Sequence, residues 1–216
     1  MDTLIHDLRD ITIRSISVSE MDNNVYLLTA KASGAQLLID AADDLPAIQA
    51  MLADSAADTA AEPKLALIAT THQHWDHVRA LPALVEATGA RTAAGTDDAE
   101  ALPVKVDVLL GHGDAGNFDG FDVTSVHLRG HTPGSIAFVY QDPDGPAHIF
   151  SGDSLFPGGV GNTQNDPARF TSLLDDVTAR LFEAYPDDSV VHPGHGSPTT
   201  LGAERPHLGE WRARGW

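Results

Sequence analysis

Thr71-His72-Gln73-His74-Trp75-Asp76-His77 is the stretch on which the reading of this chain turns. It follows a short apolar run at 65–69, which reads as a buried strand, and it leads into 76–87, which is patterned as a helix. In extended backbone, residues i and i+2 point the same way, so His72 and His74 can grip one ion from one side. Asp76 and His77 open the expected helix, where the turn of the backbone aims them at a second ion beside the first.

Working outward, apolar and β-branched runs bounded by turn residues predict strands at 11–18, 25–30 and 37–39, the last ending at Asp40. Asp43-Asp44-Leu45-Pro46 reads as the capped start of an Ala-rich helix reaching about residue 57. Beyond the central motif, further strands are expected at 91–94, 106–110, 121–128, 136–140 and 147–150. Gly111-His112-Gly113-Asp114 reads as a turn. Pro167 is placed to start a helix running to about 184, and 189–192 is a last strand. This order predicts two mixed sheets back to back with helices outside, in one domain over 1–216.

Three Gly-rich islands after strands each carry a candidate ligand: Gly130-His131-Thr132-Pro133-Gly134-Ser135, Ser151-Gly152-Asp153-Ser154-Leu155-Phe156, and His192-Pro193-Gly194-His195-Gly196. Loops at strand ends carry function more often than strand interiors, and glycine lets the backbone approach an ion closely. The ordered set His72, His74, Asp76, His77, His131, Asp153 and His195 resembles the metallo-β-lactamase-fold hydrolases. The loops GHTPGS and SGDSLF are most similar to the glyoxalase II, or hydroxyacylglutathione hydrolase, branch. The resemblance runs from about Val25 to Gly196. It implies an α/β protein built as a four-layer αββα sandwich with the site at one edge of the sheets. By that likeness His72, His74 and His131 hold one metal, Asp76, His77 and His195 the other, and Asp153 bridges them. Asp76 would also orient a metal-bridging hydroxide that attacks the carbonyl of a thioester.

Composition narrows the chemistry independently. The 216 residues are 42% hydrophobic and 20% charged, as in a soluble globular domain. Thirteen Lys and Arg against 31 Asp and Glu give a formal charge of −18, which repels nucleic acid and disfavours the RNA-cleaving members of the fold. With no cysteine, the chain has no thiolate nucleophile and no thiolate ligand, so the two divalent ions that the resemblance implies would be held by nitrogen and oxygen. Zinc is the first expectation, and iron and manganese suit the same donors. No run approaches the roughly 18 uninterrupted apolar residues of a membrane span. The acidic opening MDTLIHDLRD lacks the basic flank and apolar run of a secretory signal, so a cytoplasmic location with no membrane partner is expected. A homo-oligomer stays open.

The substrate side departs from the glyoxalase II pattern. That branch places a basic residue just after a Gly-x-Gly segment and an aromatic hydroxyl two places later. Here Gly159-Val160-Gly161 is followed by Asn162, Thr163 and Gln164. The twenty residues after Gly196 are also shorter than that branch's helical extension. Asn162 and Gln164 are amides suited to hydroxyl-rich ligands, so a small-molecule thioester of a sugar-containing thiol such as mycothiol is one expectation. The loop 156–167 is the expected substrate wall, and Trp75 reads as a rim or packing residue that can also touch substrate. The runner-up activity is a one-iron persulfide dioxygenase on His72, His131 and Asp153, with lactone or ester hydrolysis and a non-catalytic metal protein behind it. His6, His112, His148, His192 and His207 read as structural or surface residues, and His127 as either support for the site or packing.

Overall fold

The computed structural model describes residues 3–215. Side chains alternate along Asn23–Ala30: Val25 and Leu27 join one apolar cluster, and Tyr26, Leu28 and Ala30 join another on the opposite face. A strand buried on both faces must lie between two layers.

The first sheet is built in chain order from β1 (Leu4–Asp7), β2 (Ile11–Val18), β3 (Asn23–Ala30) and β4 (Ala35–Ile39). After α1 (Leu45–Asp54) come β5 (Lys64–Thr70), α2 (Leu81–Thr88), β6 (Arg91–Gly95) and β7 (Val108–Leu110). Its strands lie side by side in sequence order, antiparallel from β1 to β4 and parallel from β4 to β7. Helices α1 and α2 supply the crossovers that the first two parallel steps require.

The second half contributes β8 (Ala115–Asn117), β9 (Asp122–His127), β10 (Ile136–Gln141) and β11 (Ala147–Gly152), then a small hairpin of β12 (Leu155–Phe156) and β13 (Gly159–Val160). Helix α3 (Pro167–Val177), β14 (Val190–Pro193), β15 (Thr199–Thr200), α4 (Leu201–Glu204) and α5 (Leu208–Arg214) follow. The second sheet has the order β15-β14-β11-β10-β9-β8, with β11 and β14 parallel. Ile13, Leu28, Ile39, Phe121, Phe138 and Phe150 fill the space between the sheets. Leu38, Ile48, Met51 and Leu84 pack helices on the outside of the first, and Ile149, Leu174, Val191 and Trp211 do so on the second. This is the αββα sandwich expected from the order of elements.

The structure corrects several boundaries. The helix expected over 76–87 is a single 3₁₀ turn at Trp75–His77, and α2 begins only at Leu81. The amides of Arg79 and Ala80 donate to Ala42 and Ala41 carbonyls instead of continuing a helix, and Pro82 then sits in the first turn of α2, where its missing N–H costs nothing. The helix expected to reach 184 ends at Val177 and widens into a π turn at Thr178–Phe182. The helix expected to reach 57 ends at Asp54 and tightens into a 3₁₀ turn. Strands β1 and β8 and the β12–β13 hairpin are too short to carry a readable period.

Strands β4, β5, β11 and β14 all end at one rim, where β3 begins. There Asn23 bridges to His195, and the Asn24 amide donates to the Gly194 carbonyl at 2.8 Å. The loops that leave this rim carry the candidate ligands.

Candidate metal centre

Two groups of side chains converge at the rim. His72, His74, His131 and Asp153 each offer a ligand atom within 4.8 Å of the others, and so do Asp76, His77 and His195. In the first group His72 Nε2 lies 3.0 Å from His74 Nδ1, and Asp153 Oδ2 lies 3.5 Å from His131 Nε2 and 3.9 Å from His72 Nε2. In the second, His77 Nε2 and His195 Nε2 are 3.1 Å apart, and Asp76 Oδ2 is 3.3 Å from His195 Nε2. Asp153 stands between the groups, with Oδ1 3.4 Å from His77 Nε2 and Oδ2 3.5 Å from His195 Nε2. All seven residues singled out in the sequence are brought together.

The partners behind the rings fix which nitrogen faces the centre. A backbone carbonyl only accepts, so His131 Nδ1 donates to Asn162 O at 2.9 Å and His195 Nδ1 donates to Met21 O at 2.7 Å. His77 Nδ1 lies 3.0 Å from Asp40 Oδ2, and Asp40 also accepts from the Thr71 amide and hydroxyl, each at 2.7 Å. Each of these three rings thus turns its Nε2 inward, as metal-ligating histidines do. Asn23 Nδ2 donates to Asp76 Oδ2 at 2.9 Å and holds that carboxylate toward His195.

The electrostatics follow from crowding charges into a half-dry place. Burial lowers His72 well below the usual imidazole range, helped by the neighbouring His77 charge, and burial also lowers His131. Burial pulls His77 down too, but the carboxylates of Asp153 and Asp40 beside it overcome it and raise this ring to about 10. The neighbouring Asp153 carboxylate raises His195. Burial works to raise Asp153, yet the His195 and His77 rings beside it hold it far below the ordinary carboxylate range. Asp76 is lowered likewise: the Asn23 hydrogen bond and the His77 charge outweigh burial.

A metal fits this arrangement on observations of the residues themselves. His131 Nε2 and Asp153 Oδ1 are buried with no hydrogen-bond partner, a costly state for polar atoms unless something else binds them. The backbone also closes in tightly. A Cβ on Gly194 would sit 2.3 Å from Asp153 Oδ1 and 2.8 Å from the His77 ring, so only glycine lets the His195 loop cross there. Gly161 is constrained in the same way, 2.9 Å from the His131 ring.

Several supporting residues escaped the sequence reading. Asp98 is fully buried and accepts from the Gln73 amide, the Thr132 hydroxyl and the Gly134 amide, tying the His72 loop to the His131 loop. Arg169 donates to the Gly130 and His131 carbonyls and to Gln164 Oε1 at 2.9 Å. An Asp at a strand end, as at Asp40, was the one available signal; nothing local marked Asn23, Asp98 or Arg169. Of the expected substrate residues, Asn162 and Gln164 are exposed on the loop that braces His131. The Asn162 side chain accepts from the Gln164 amide at 2.7 Å. Trp75 is 61% exposed, with the Arg79 guanidinium 4.5 Å over its ring. His127 Nε2 donates to Pro133 O at 2.8 Å, bracing the His131 loop from its far side. His112 and His207 lie on the surface, whereas His6, His148 and His192 meet each other between the sheets.

Comparison with known proteins places this geometry. The chain is 35% identical over 175 residues to a hydroxyacylglutathione hydrolase of Cereibacter sphaeroides, covering 81% of this chain and 62% of that protein. The chain thus spans less than two thirds of the length of that relative. Among solved structures it is similar to TTHA1623 in a di-iron-bound form, with a TM-score of 0.68 and 32% identity over 88% of this chain and 96% of that one. It is also similar to ETHE1 from Myxococcus xanthus, with a TM-score of 0.77 and 27% identity over 93% and 84% of the two chains. The model of the metallo-beta-lactamase superfamily matches residues 19–195, from the turn before β3 to the last rim histidine, and this chain therefore belongs to that superfamily.

Proposed function

We propose that this protein is a metal-dependent hydrolase with a two-ion site, cleaving the thioester of a small acylated thiol. The observation that carries the proposal is Asp153, whose two oxygens face the two histidine groups and leave Oδ1 and His131 Nε2 without any other partner. The name of the Cereibacter relative and the di-iron form of TTHA1623 support the same reading.

In this proposal His72, His74 and His131 would hold one ion and Asp76, His77 and His195 the other, with Asp153 available to both. Two divalent ions at such a site supply an activated water and a Lewis acid for a carbonyl. Zinc is the expected ion. The chain's own groups do the positioning. Asp40, Asn162 and Met21 pin three imidazoles, Asn23 aims Asp76 Oδ2 at the centre, and Asp98 keeps the two ligand loops in register. A thiolate departs without a proton, so the site needs no separate general acid. The exposed loop with Asn162 and Gln164 forms the substrate wall beside His131, and the Trp75 ring forms the open rim.

The test pairs elemental analysis with a panel of acyl thioesters, esters and lactones. At least two zinc per chain, with thioester hydrolysis abolished by chelation and restored by zinc, is the expected result. A single iron per chain, together with oxygen uptake on a thiol persulfide and no thioester hydrolysis, would overturn it in favour of a one-iron oxygenase on His72, His131 and Asp153. Comparing S-acyl glutathione with S-acyl mycothiol on the active enzyme then assigns the carrier: faster cleavage of the sugar-bearing thioester is expected from the amides at 162 and 164.

A further inference from the structure

Away from the rim, three more imidazoles meet between the sheets. His6 lies on β1, the edge of the first sheet, and His148 and His192 lie on β11 and β14, neighbouring strands of the second. His148 Nδ1 is 3.0 Å from His192 Nε2, and the His6 ring centre is 4.5 Å from that of His148 and 5.4 Å from that of His192. One ligand atom from each of the three lies within 4.8 Å of the others.

We propose that His6, His148 and His192 form a separate site for a divalent transition metal, zinc above all, that staples the edge strand β1 to the second sheet. Nitrogen ligands about 2.05 Å from a tetrahedral zinc stand about 3.3 Å apart. The His148–His192 spacing is close to this, and it repeats the 3.0 and 3.1 Å nitrogen pairs of the rim centre. All three imidazoles are kept neutral, as ligands must be. Burial, with the neighbouring imidazoles behind it, lowers His192 well below its usual range and His148 to about 4, and burial lowers His6. An all-imidazole set suits zinc, copper or nickel far better than calcium or magnesium.

The surroundings are those of a structural site. Phe150 stacks on the His192 ring at 4.9 Å and Tyr26 meets it edge-on at 5.5 Å. Tyr140, which pairs with His148 across β10 and β11 with its ring centre 6.4 Å from the imidazole, carries a buried hydroxyl with no hydrogen-bond partner. His6 is half-buried, so an ion can enter past it. The competing arrangement is a proton shared between His148 and His192; it employs two of the rings and leaves His6 with no hydrogen-bond partner among the described residues.

The site is independent of the hydrolase reading, and the experiment keeps the two apart. The Asp153→Ala protein and the Asp153→Ala/His6→Ala double variant are saturated with zinc, freed of excess and analysed for metal per chain. The double variant is expected to hold about one zinc fewer, whatever number the altered rim centre retains. His6→Ala alone is expected to keep the thioesterase activity of the parent. In parallel, zinc at about 100 times its Kd should raise the Tm of Asp153→Ala by about 5 °C or more beyond the shift it gives Asp153→Ala/His6→Gln, which preserves a polar side chain on β1. Equal zinc counts in the two Asp153→Ala proteins, or a zinc-dependent Tm shift as large with His6→Gln as without it, would overturn the proposal.

Discussion

The rim centre and the inter-sheet cluster are built from the same residue type at the same spacing, yet their surroundings set them to different tasks. At the rim the histidines sit on loops beyond strand ends, beside Asp40, Asp76 and Asp153; against the pull of burial, Asp153 and Asp40 raise His77 to about 10, and Asp153 raises His195. Between the sheets, His148 and His192 lie within strands against Phe150 and Tyr26, and all three rings are lowered. Carboxylates and partial access to water make the first a place where charge can develop and be balanced. An aromatic lining and neutral ligands make the second a place that holds and does not react. Imidazole geometry alone therefore does not distinguish a reaction centre from a fastening; the company of acids does.

The comparison breaks most sharply at Asp153. Asp153→Asn keeps the side chain's shape and removes the charge shared by both rim groups, so kcat/KM for a thioester is expected to fall about 10³-fold or more, beyond the roughly 10–100-fold of a partner outside the ligand set. Elemental analysis of the same preparation should show the rim metal lost and the inter-sheet metal kept. Asp98→Ala is next. It strands the Gln73 and Gly134 amides and the Thr132 hydroxyl in a buried place, and a loss of about 2–3 kcal/mol in urea denaturation is expected.

A pH titration of metal-free protein sharpens the contrast further. His148 faces His6, His192 and Tyr140, with Asp142 nearby, and its ring titrates near 4 in the folded state against about 6.5 unfolded. Between those values the unfolded chain holds more protons, so stability falls as pH drops from about 6.5 toward 4, by about 3 kcal/mol from this group. Chemical denaturation across that window should show the slope, and His148→Gln should flatten it. The smallest effect is expected at the exposed wall: Gln164→Ala should raise KM about threefold with kcat nearly unchanged, the signature of a contact equal in ground and transition states. Unchanged steady-state constants in that variant would place the substrate elsewhere.

Much of the rim was legible because its ligands are concentrated. Four of the seven lie within His72 to His77, and each of the others sits in a Gly-rich island after a strand. The residues that hold these ligands were not legible. Asp40 meets His77 across 37 positions, Asn23 meets Asp76 across 53, and Asp98 meets Gly134 across 36, so no window of sequence contains both partners. The expected helix at 76–87 failed for a related reason: the amides of Arg79 and Ala80 found acceptors at Ala42 and Ala41 on a neighbouring loop. His6, His148 and His192 each read as an isolated structural histidine because their convergence depends on two sheets facing each other.

Taken alone, the sequence determined the layered class of the fold, through period-two apolar runs alternating with helical ones, and it determined the inventory of candidate ligands, through histidines and aspartates crowded at strand ends. These are local properties, written in residues a few positions apart. Only the tertiary structure decided which nitrogen of each ring faces inward, which oxygens of Asp153 and Asp76 meet which ring, and that three scattered histidines share one place between the sheets. Those choices follow from hydrogen bonds and packing between segments distant in the chain, whose geometry exists only once both sheets are assembled.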